Sequence, residues 1–156
     1  RSADVCYIDG TAFTDFYNQE QGTVLVSVKG VGIGGTQGVY DLGASGSDSV
    51  DLRFQSDGKY RTYVNSSGTT VFVATSVTKN LNSTKLITAY KQDDFVFSVD
   101  DTNFSTDTSG NLPSAGTKLN IGTIDDNSNF RACIALAKFI YFPRRLSNTE
   151  IQKLTQ

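Results

Sequence analysis

Hydrophobic and polar residues alternate along most of this chain, which is typical of strands that bury one face. The alternation predicts strands at 23–28, 50–55, 60–64, 71–74, 86–90, 95–99, 119–121 and 132–142. Turns rich in Gly, Asn, Asp and Ser separate them, and the stretches 30–38, 44–49 and 100–117 are predicted loops. Short strands at this spacing predict an all-β fold, a two-sheet antiparallel jelly-roll sandwich formed as one module by residues 1–156.

The hairpin around Gly58 has one register that keeps its apolar residues on the same face. A three-residue loop, 56–58, places Gly58 at the left-handed position of a bulge. Its cross-strand pairs are Phe54 with Tyr60, Leu52 with Thr62, and Val50 with Val64. A two-residue loop would set Phe54 opposite Arg61 and turn charges toward the core. The pattern therefore predicts the three-residue loop.

A short helix is predicted at the C-terminal end of the sequence. Ser147 and Glu150 have the spacing of a capping box, in which each side chain accepts a hydrogen bond from an amide that the helix leaves unpaired. Ile151 and Leu154 form one apolar edge, and Leu146 can pack against Ile151 as a hydrophobic staple. No other segment shows a comparable helical signal.

Composition narrows the function classes. The 156 residues carry 14 Lys+Arg against 16 Asp+Glu and include no His, Met or Trp. Without His there is no Ser-His or Cys-His pair and no imidazole metal ligand. The near-neutral charge gives no drive toward nucleic acid, and no apolar run approaches the ~18 residues of a bilayer span. Because the first residue is not Met, we expect a processed product or a piece of a longer chain.

Two cysteines, Cys6 and Cys133, lie near opposite ends of the sequence. A disulfide between them would close a long loop and add roughly 4–5 kcal/mol of stability. The alternative is a pair of small buried hydrophobic residues, one in each terminal strand. The sequence leaves both alternatives open.

Two segments resemble sites of known chemistry but lack a required part. Residues 30–35 match a dinucleotide fingerprint without the helix that must follow, which favours a loop and no cofactor. Asp125 and Asp126 begin like a calcium loop, but Phe130 stands where an EF-hand needs Gly. A looser calcium site at Asp125 and Asp126, or at the pair Asp93 and Asp94, remains an alternative to ordinary turns.

Glycoside hydrolysis needs two carboxyl groups that flank the scissile bond. The only glutamates are Glu20, in an early loop, and Glu150, in the helix cap, and the aspartates are not grouped as a substitute pair. We therefore predict that the chain is not an enzyme.

The outer face of the predicted hairpin is the strongest candidate for a ligand site. Arg53 lies opposite Arg61 and Asp51 opposite Tyr63. Two like charges in register are unfavourable unless an anion or nearby carboxylates offset them. Such side chains also bind sugar hydroxyls and acidic sugars, whereas the alternative is an ordinary solvated face. The candidate ligand-binding residues are Arg53, Arg61, Tyr63, Asp51, Asp93 and Asp94.

The chain resembles a family in three segments, 16–23, 89–95 and 141–155. Together they are similar to the concanavalin A-like, laminin-G-like modules at the C-terminal ends of bacteriophage tail-fibre and other virion proteins. Those relatives often carry Trp where Phe16 stands and Gly after the strand that ends at Asp100. The resemblance implies a jelly roll, a location in the virion (extracellular after release), other virion proteins as partners, and a homo-oligomer.

These observations lead to two functional hypotheses. The first is a non-enzymatic module of a phage tail fibre or capsid appendage that binds host-surface glycan for attachment, with no nucleic-acid partner and no membrane insertion. The second is a structural module that caps, oligomerises or docks the fibre and binds no sugar.

Overall fold

The computed structural model describes residues 6–31, 35–45, 47–76, 84–100, 103–114, 116–125, 130–132 and 134–156. Its strands are β1 (Cys6–Asp9), β2 (Gln21–Val31), β3 (Gln37–Ser45), β4 (Asp48–Phe54), β5 (Tyr60–Ser66), β6 (Thr69–Thr75), β7 (Thr84–Lys91), β8 (Asp94–Val99), β9 (Asn103–Asp107), β10 (Lys118–Ile121) and β11 (Ile134–Phe142). Its helices are α1 (Gly10–Thr14) and α2 (Asn148–Thr155). Neither described helix is long and apolar enough to cross a bilayer.

The strands form two antiparallel sheets, which confirms the predicted sandwich. The six-stranded sheet has the order β1-β10-β3-β4-β5-β6, and the five-stranded sheet has the order β11-β2-β7-β8-β9. The main core lies between the sheets, because the alternate residues of each strand point inward. Val24, Val26 and Val28 of β2 contribute to this core from one sheet, and Leu52 and Phe54 of β4 contribute from the other.

A second, smaller core covers the outer face of the five-stranded sheet. Leu25 of β2 and Ile87 of β7 point away from the main core and join a cluster with Leu146 and Ile151. Helix α2 therefore covers part of this face. Its capping box forms as predicted, with Ser147 accepting from the Glu150 amide and Glu150 accepting from the Ser147 amide.

The predicted hairpin register is confirmed. Strands β4 and β5 pair Phe54 with Tyr60 and set Arg53 opposite Arg61. Gly58 has a φ of 81°, the left-handed conformation that the three-residue loop requires.

β3 and β9 were not predicted as strands. β3 (Gln37–Ser45) lies mostly between the predicted loops 30–38 and 44–49 and overlaps both at its ends, although Gly38 and Gly43 look like turn residues. This strand position is a glycine because a Cβ there would lie 2.6–2.9 Å from atoms of Thr123 and Ile124. The segment after β10 packs directly against the bare backbone of Gly38. Residues 103–107 form β9, whose Ser- and Thr-rich sequence has Phe104 as its one large apolar residue.

The N-terminal elements also differ from expectation. Helix α1 was not predicted, and its Phe13 is completely buried in the main core. Cys6 is a free, exposed cysteine, so it is not the small buried residue that was one alternative. The reason is its place in β1, which is an edge strand exposed along its whole length. Cys133, its partner in the disulfide alternative, lies outside the described residues.

Candidate functional site

The outer face of the six-stranded sheet carries a row of polar side chains across four neighbouring strands. Asn120 of β10 pairs with Asp41 of β3, Asp41 with Asp51 of β4, and Asp51 with Tyr63 of β5. These four residues are called the polar row below. Their chain neighbours, such as Tyr40 and Leu52, point into the core, so the alternation places the polar row on the opposite face.

This face is covered rather than solvated, contrary to one of the two expectations for it. Asp51 is completely buried, and Asp41 and Asn120 are each only 4% exposed. The segment after β10 lies against the sheet, where Ile124 is buried and the Asp125 amide donates to Asp41 Oδ2 at 3.0 Å. The polar row is therefore a partly enclosed site, in which charges interact more strongly than on an open strand face.

Arg53 is held rigidly beside the polar row. Its Nε and Nη2 donate to the two carboxylate oxygens of Asp51 at 2.7 and 2.8 Å. The guanidinium carbon lies 4.6 Å from the centroid of the Tyr63 ring and 5.6 Å from that of Phe130. A bidentate ion pair between two aromatic rings fixes the guanidinium plane. The Arg53 side chain is 20% exposed, so part of it reaches solvent.

Arg61 contacts the hydroxyl of Tyr63, whereas Arg53 lies over its ring. The Nη1 of Arg61 donates to the Tyr63 hydroxyl at 3.4 Å, Nε to Thr75 Oγ1 at 3.0 Å, and Nη2 to Asp57 Oδ2 at 3.3 Å. The two arginines that the register places opposite each other are thus each offset by a carboxylate. Four predicted residues, Arg53, Arg61, Tyr63 and Asp51, form one connected group.

Burial perturbs the acidic members of this group. It raises the pKa of Asp41 to about 7; the Asp125 amide opposes the rise, and the Asp51 and Asp125 carboxylates add to it. Burial also raises the pKa of Asp51, against the hydrogen bonds and charge of Arg53. Two buried oxygens, Asp41 Oδ1 and Asn120 Oδ1, have no hydrogen-bond partner in the described part of the chain.

Asp93 and Asp94 do not join this group. Asp93 lies in the turn between β7 and β8 of the other sheet, and Asp94 is the first residue of β8. Asp93 has a left-handed φ of 56° and accepts from the Gly110 amide at 2.9 Å, while Asp94 pairs with Arg145 at 2.8 Å. The first contact holds the turn in place, and the second ties the start of β8 to the segment before α2. Among the described residues, no contact connects Asp93 or Asp94 to Arg53.

The structure also limits the calcium hypothesis. Asp125 has a left-handed φ of 52° and contributes its backbone amide to Asp41. Within the ranges given above, no three or more His, Cys, Asp or Glu side chains are grouped so that they could hold a metal ion. Asp126 lies outside those ranges, as do residues 32–34 of the glycine-rich segment. A calcium site at Asp125 and Asp126 stays a prediction.

Sequence reasoning missed Asp41, Asn120 and Phe130. Asp41 lies between Tyr40 and Leu42, an alternation that would have placed it on the outer face if β3 had been recognised. Asn120 has the same signal within the predicted strand 119–121. Phe130 has no local signal, because only the return of its segment over the sheet brings it to Arg53.

The segments behind the family resemblance mainly make packing contacts. The hydroxyls of Tyr90 and Tyr141 lie 3.1 Å apart, and the Tyr141 hydroxyl accepts from the Asn18 amide at 3.0 Å. Gly22 leaves room for both rings, since a Cβ there would lie 2.5 Å from the Tyr90 hydroxyl. This cluster borders an open cleft of about 700 Å³ lined by residues 15–20, Tyr141 and Pro143.

Comparison with known proteins finds similar structures but no similar sequence family. No protein-family model matches the sequence, and no curated protein matches it either. Among solved structures, the chain is similar to the CBM40 carbohydrate-binding module of a Ruminococcus gnavus IT-sialidase bound to α2,6-sialyllactose, with a TM-score of 0.75 and 12% identity, covering 99% of this chain and 97% of that one. The same module bound to α2,3-sialyllactose gives a TM-score of 0.74, with coverage of 89% and 84%.

Larger sialidases match over one part of their length. The NanB sialidase of Streptococcus pneumoniae gives a TM-score of 0.75 at 13% identity, and the match covers 95% of this chain but 26% of NanB. The Trypanosoma rangeli sialidase gives 0.66 at 15% identity, with 23% of its chain covered. The CBM40 module matches over most of its length. At these identities the likeness establishes the two-sheet β-sandwich fold alone.

Proposed function

We propose that this chain is a non-enzymatic carbohydrate-binding module that binds an acidic sugar on the outer face of its six-stranded sheet. The observation that carries the proposal is the arginine pair around Tyr63. Arg53 is fixed by Asp51 and Arg61 by Asp57, and both contact the same tyrosine. Such an arrangement is prepared for an anion before the anion arrives, which reduces the ordering cost of binding.

The chemistry of the pair favours a carboxylate-bearing sugar. One edge of the Arg53 guanidinium is taken by Asp51, and its Nη1 has no hydrogen-bond partner among the described residues. A planar guanidinium suits a carboxylate, and Tyr63 offers an aromatic ring beside it. The structural neighbours hold sialyllactose, a glycan that ends in a carboxylate-bearing sugar. A sialylated or similarly acidic glycan is therefore the first ligand to test.

The test is titration of the folded chain with 3′- and 6′-sialyllactose, with lactose as the uncharged comparison. Arg61→Gln removes a partly exposed charge and should weaken binding by about tenfold or more, since a hydrogen bond to a charged group is worth about 1.5–3 kcal/mol. Arg53→Lys keeps the charge beside Asp51 but loses the planar guanidinium, and it should weaken binding similarly.

Arg144→Gln is the matched control, because Arg144 is an exposed arginine paired with Glu150 at the helix, away from the polar row. It should bind like the wild type. Circular dichroism of each variant separates lost binding from lost folding. Equal affinity for sialyllactose and lactose, or wild-type affinity of Arg61→Gln, would contradict an anion site at this face.

The wider setting rests on the family resemblance and is proposed on that basis. As part of a phage tail fibre or capsid appendage, several copies of the module would turn weak single-site binding into firm attachment to host glycan. Binding of an assembled multimer to host cells, together with detection of the chain in purified particles, tests this setting. A stable oligomer that is present in particles but binds no glycan would instead favour the structural alternative.

A further inference from the structure

The charged side chains around Asp41, in the polar row and beside it, are more negative than positive. Asp51 and Arg53 approach it from β4, and Asp125 approaches it from the segment after β10. Lys118 of β10 faces the same side, with its ammonium 4.4 Å from the centroid of the Tyr7 ring. Among the described residues, the carboxylates of Asp51 and Asp125 and the guanidinium of Arg53 act electrostatically on Asp41, and both Asp41 and Asp51 are almost fully removed from water. Such a group is stabilised when one carboxylate takes up a proton.

The hydrogen bonds of the polar row identify the residue that holds the proton. Asp51 is fully engaged, with Arg53 on both oxygens and Ser49 on Oδ2. Asp41 has one oxygen on the Asp125 amide, and its Oδ1 has no partner in the described structure. Its cross-strand neighbour Asn120 has an unpartnered acceptor as well. A protonated Asp41 has an O–H donor, and it lies on the part of the sheet where Asp41 Oδ1 and Asn120 Oδ1 lack a hydrogen-bond donor in the described structure.

We propose that Asp41 is a proton-linked positioning residue of the glycan site, which takes up a proton when an anionic sugar binds Arg53. This inference rests on the proposed function above. An anion at Arg53 adds negative charge to a group that already has an excess, so it favours the neutral form of Asp41. By linkage, the protein binds an acidic sugar more tightly when Asp41 is already protonated. Affinity therefore rises as the solution becomes more acidic.

The pH range of the effect follows from the burial of Asp41, which brings its pKa to about 7. Below that pH the residue is neutral in the free protein, and the anion binds without an added repulsion. Above it, binding must either take up a proton or place the anion near an ionised carboxylate. We expect affinity for sialyllactose to fall about tenfold from pH 5.5 to pH 8. This is the scale of the repulsion between the bound anion and an ionised Asp41 in a partly buried site.

Titration calorimetry with 3′-sialyllactose in two buffers of different ionisation enthalpy measures the proton directly. Near pH 7, the wild type should take up a substantial fraction of one proton per sugar bound. Asp41→Asn keeps the acceptor for the Asp125 amide and adds a permanent donor, so it should bind with no proton uptake and no pH dependence over this range. Asp15→Asn removes an exposed carboxylate outside the polar row and should behave as the wild type does.

Each outcome decides the inference. Proton uptake in the wild type that disappears in Asp41→Asn supports it. Binding without proton uptake, or the same uptake in both proteins, overturns it and leaves the proposed function standing. No binding of any sialylated glycan at any pH contradicts the proposed function, and this inference with it.

Discussion

The buried carboxyl of Asp41 should make the folding stability of this protein fall as the pH rises toward neutrality. In the unfolded chain the group titrates near 3.8, and in the folded protein its pKa is about 7. Between these values the folded protein binds a proton that the unfolded chain has lost. The free energy of unfolding therefore decreases as the pH rises from about 4 to about 7, and this contribution is constant above that range.

The magnitude follows from the size of the pKa change. Each pKa unit is worth about 1.4 kcal/mol, so a rise from 3.8 to about 7 corresponds to at most about 4 kcal/mol between acidic and neutral solution. This is a large part of the 5–15 kcal/mol that typically stabilises a domain. The effect needs no ligand, so it tests the buried carboxyl separately from sugar binding.

The assay is urea unfolding of the wild type and Asp41→Asn at pH values from 4 to 8. Other carboxyls titrate in both proteins, so the informative quantity is the difference between their free energies of unfolding. That difference should be small at pH 4 and should favour Asp41→Asn by a few kcal/mol at pH 8. Parallel curves, or a variant that is less stable than the wild type at pH 8, would refute the argument that folding raises the pKa of Asp41.

Three further changes test the packing around the site and the helix. Asp51→Ala should cost about 3–5 kcal/mol in urea unfolding because it leaves the half-buried Arg53 without its bidentate partner; a cost below 1 kcal/mol would mean that Asp51 does not hold Arg53. Gly22→Ala should lower the free energy of unfolding by about 1–3 kcal/mol, because the added methyl group overpacks against the Tyr90 hydroxyl. In a double-mutant cycle, adding Tyr90→Phe should restore part of that stability. Ser147→Ala should lower stability by about 1 kcal/mol through loss of the capping box, and thermal unfolding that is unchanged would contradict it.

The composition of the site could be predicted only where the local pattern was strong. The hairpin of β4 and β5 has clean alternation and a glycine at its turn, so its register and the facing pair Arg53 and Arg61 followed from sequence. Asp93 and Asp94 had similar chemistry but no such pattern, so their position relative to Arg53 could not be predicted, and the structure places them in the other sheet. A ligand-binding role for these two residues stays a prediction.

The sequence by itself determined the two-sheet architecture, the hairpin register and the capped C-terminal helix, because each follows from local periodicity or from contacts a few residues apart. Only the tertiary structure decided that the polar row is enclosed. Asp41 and Asp51 come from consecutive strands, but Asn120 and the segment that removes the row from water come from a distant part of the sequence. Burial and the sharing of one arginine by several carboxylates are long-range properties, so a pattern along one strand cannot reveal them.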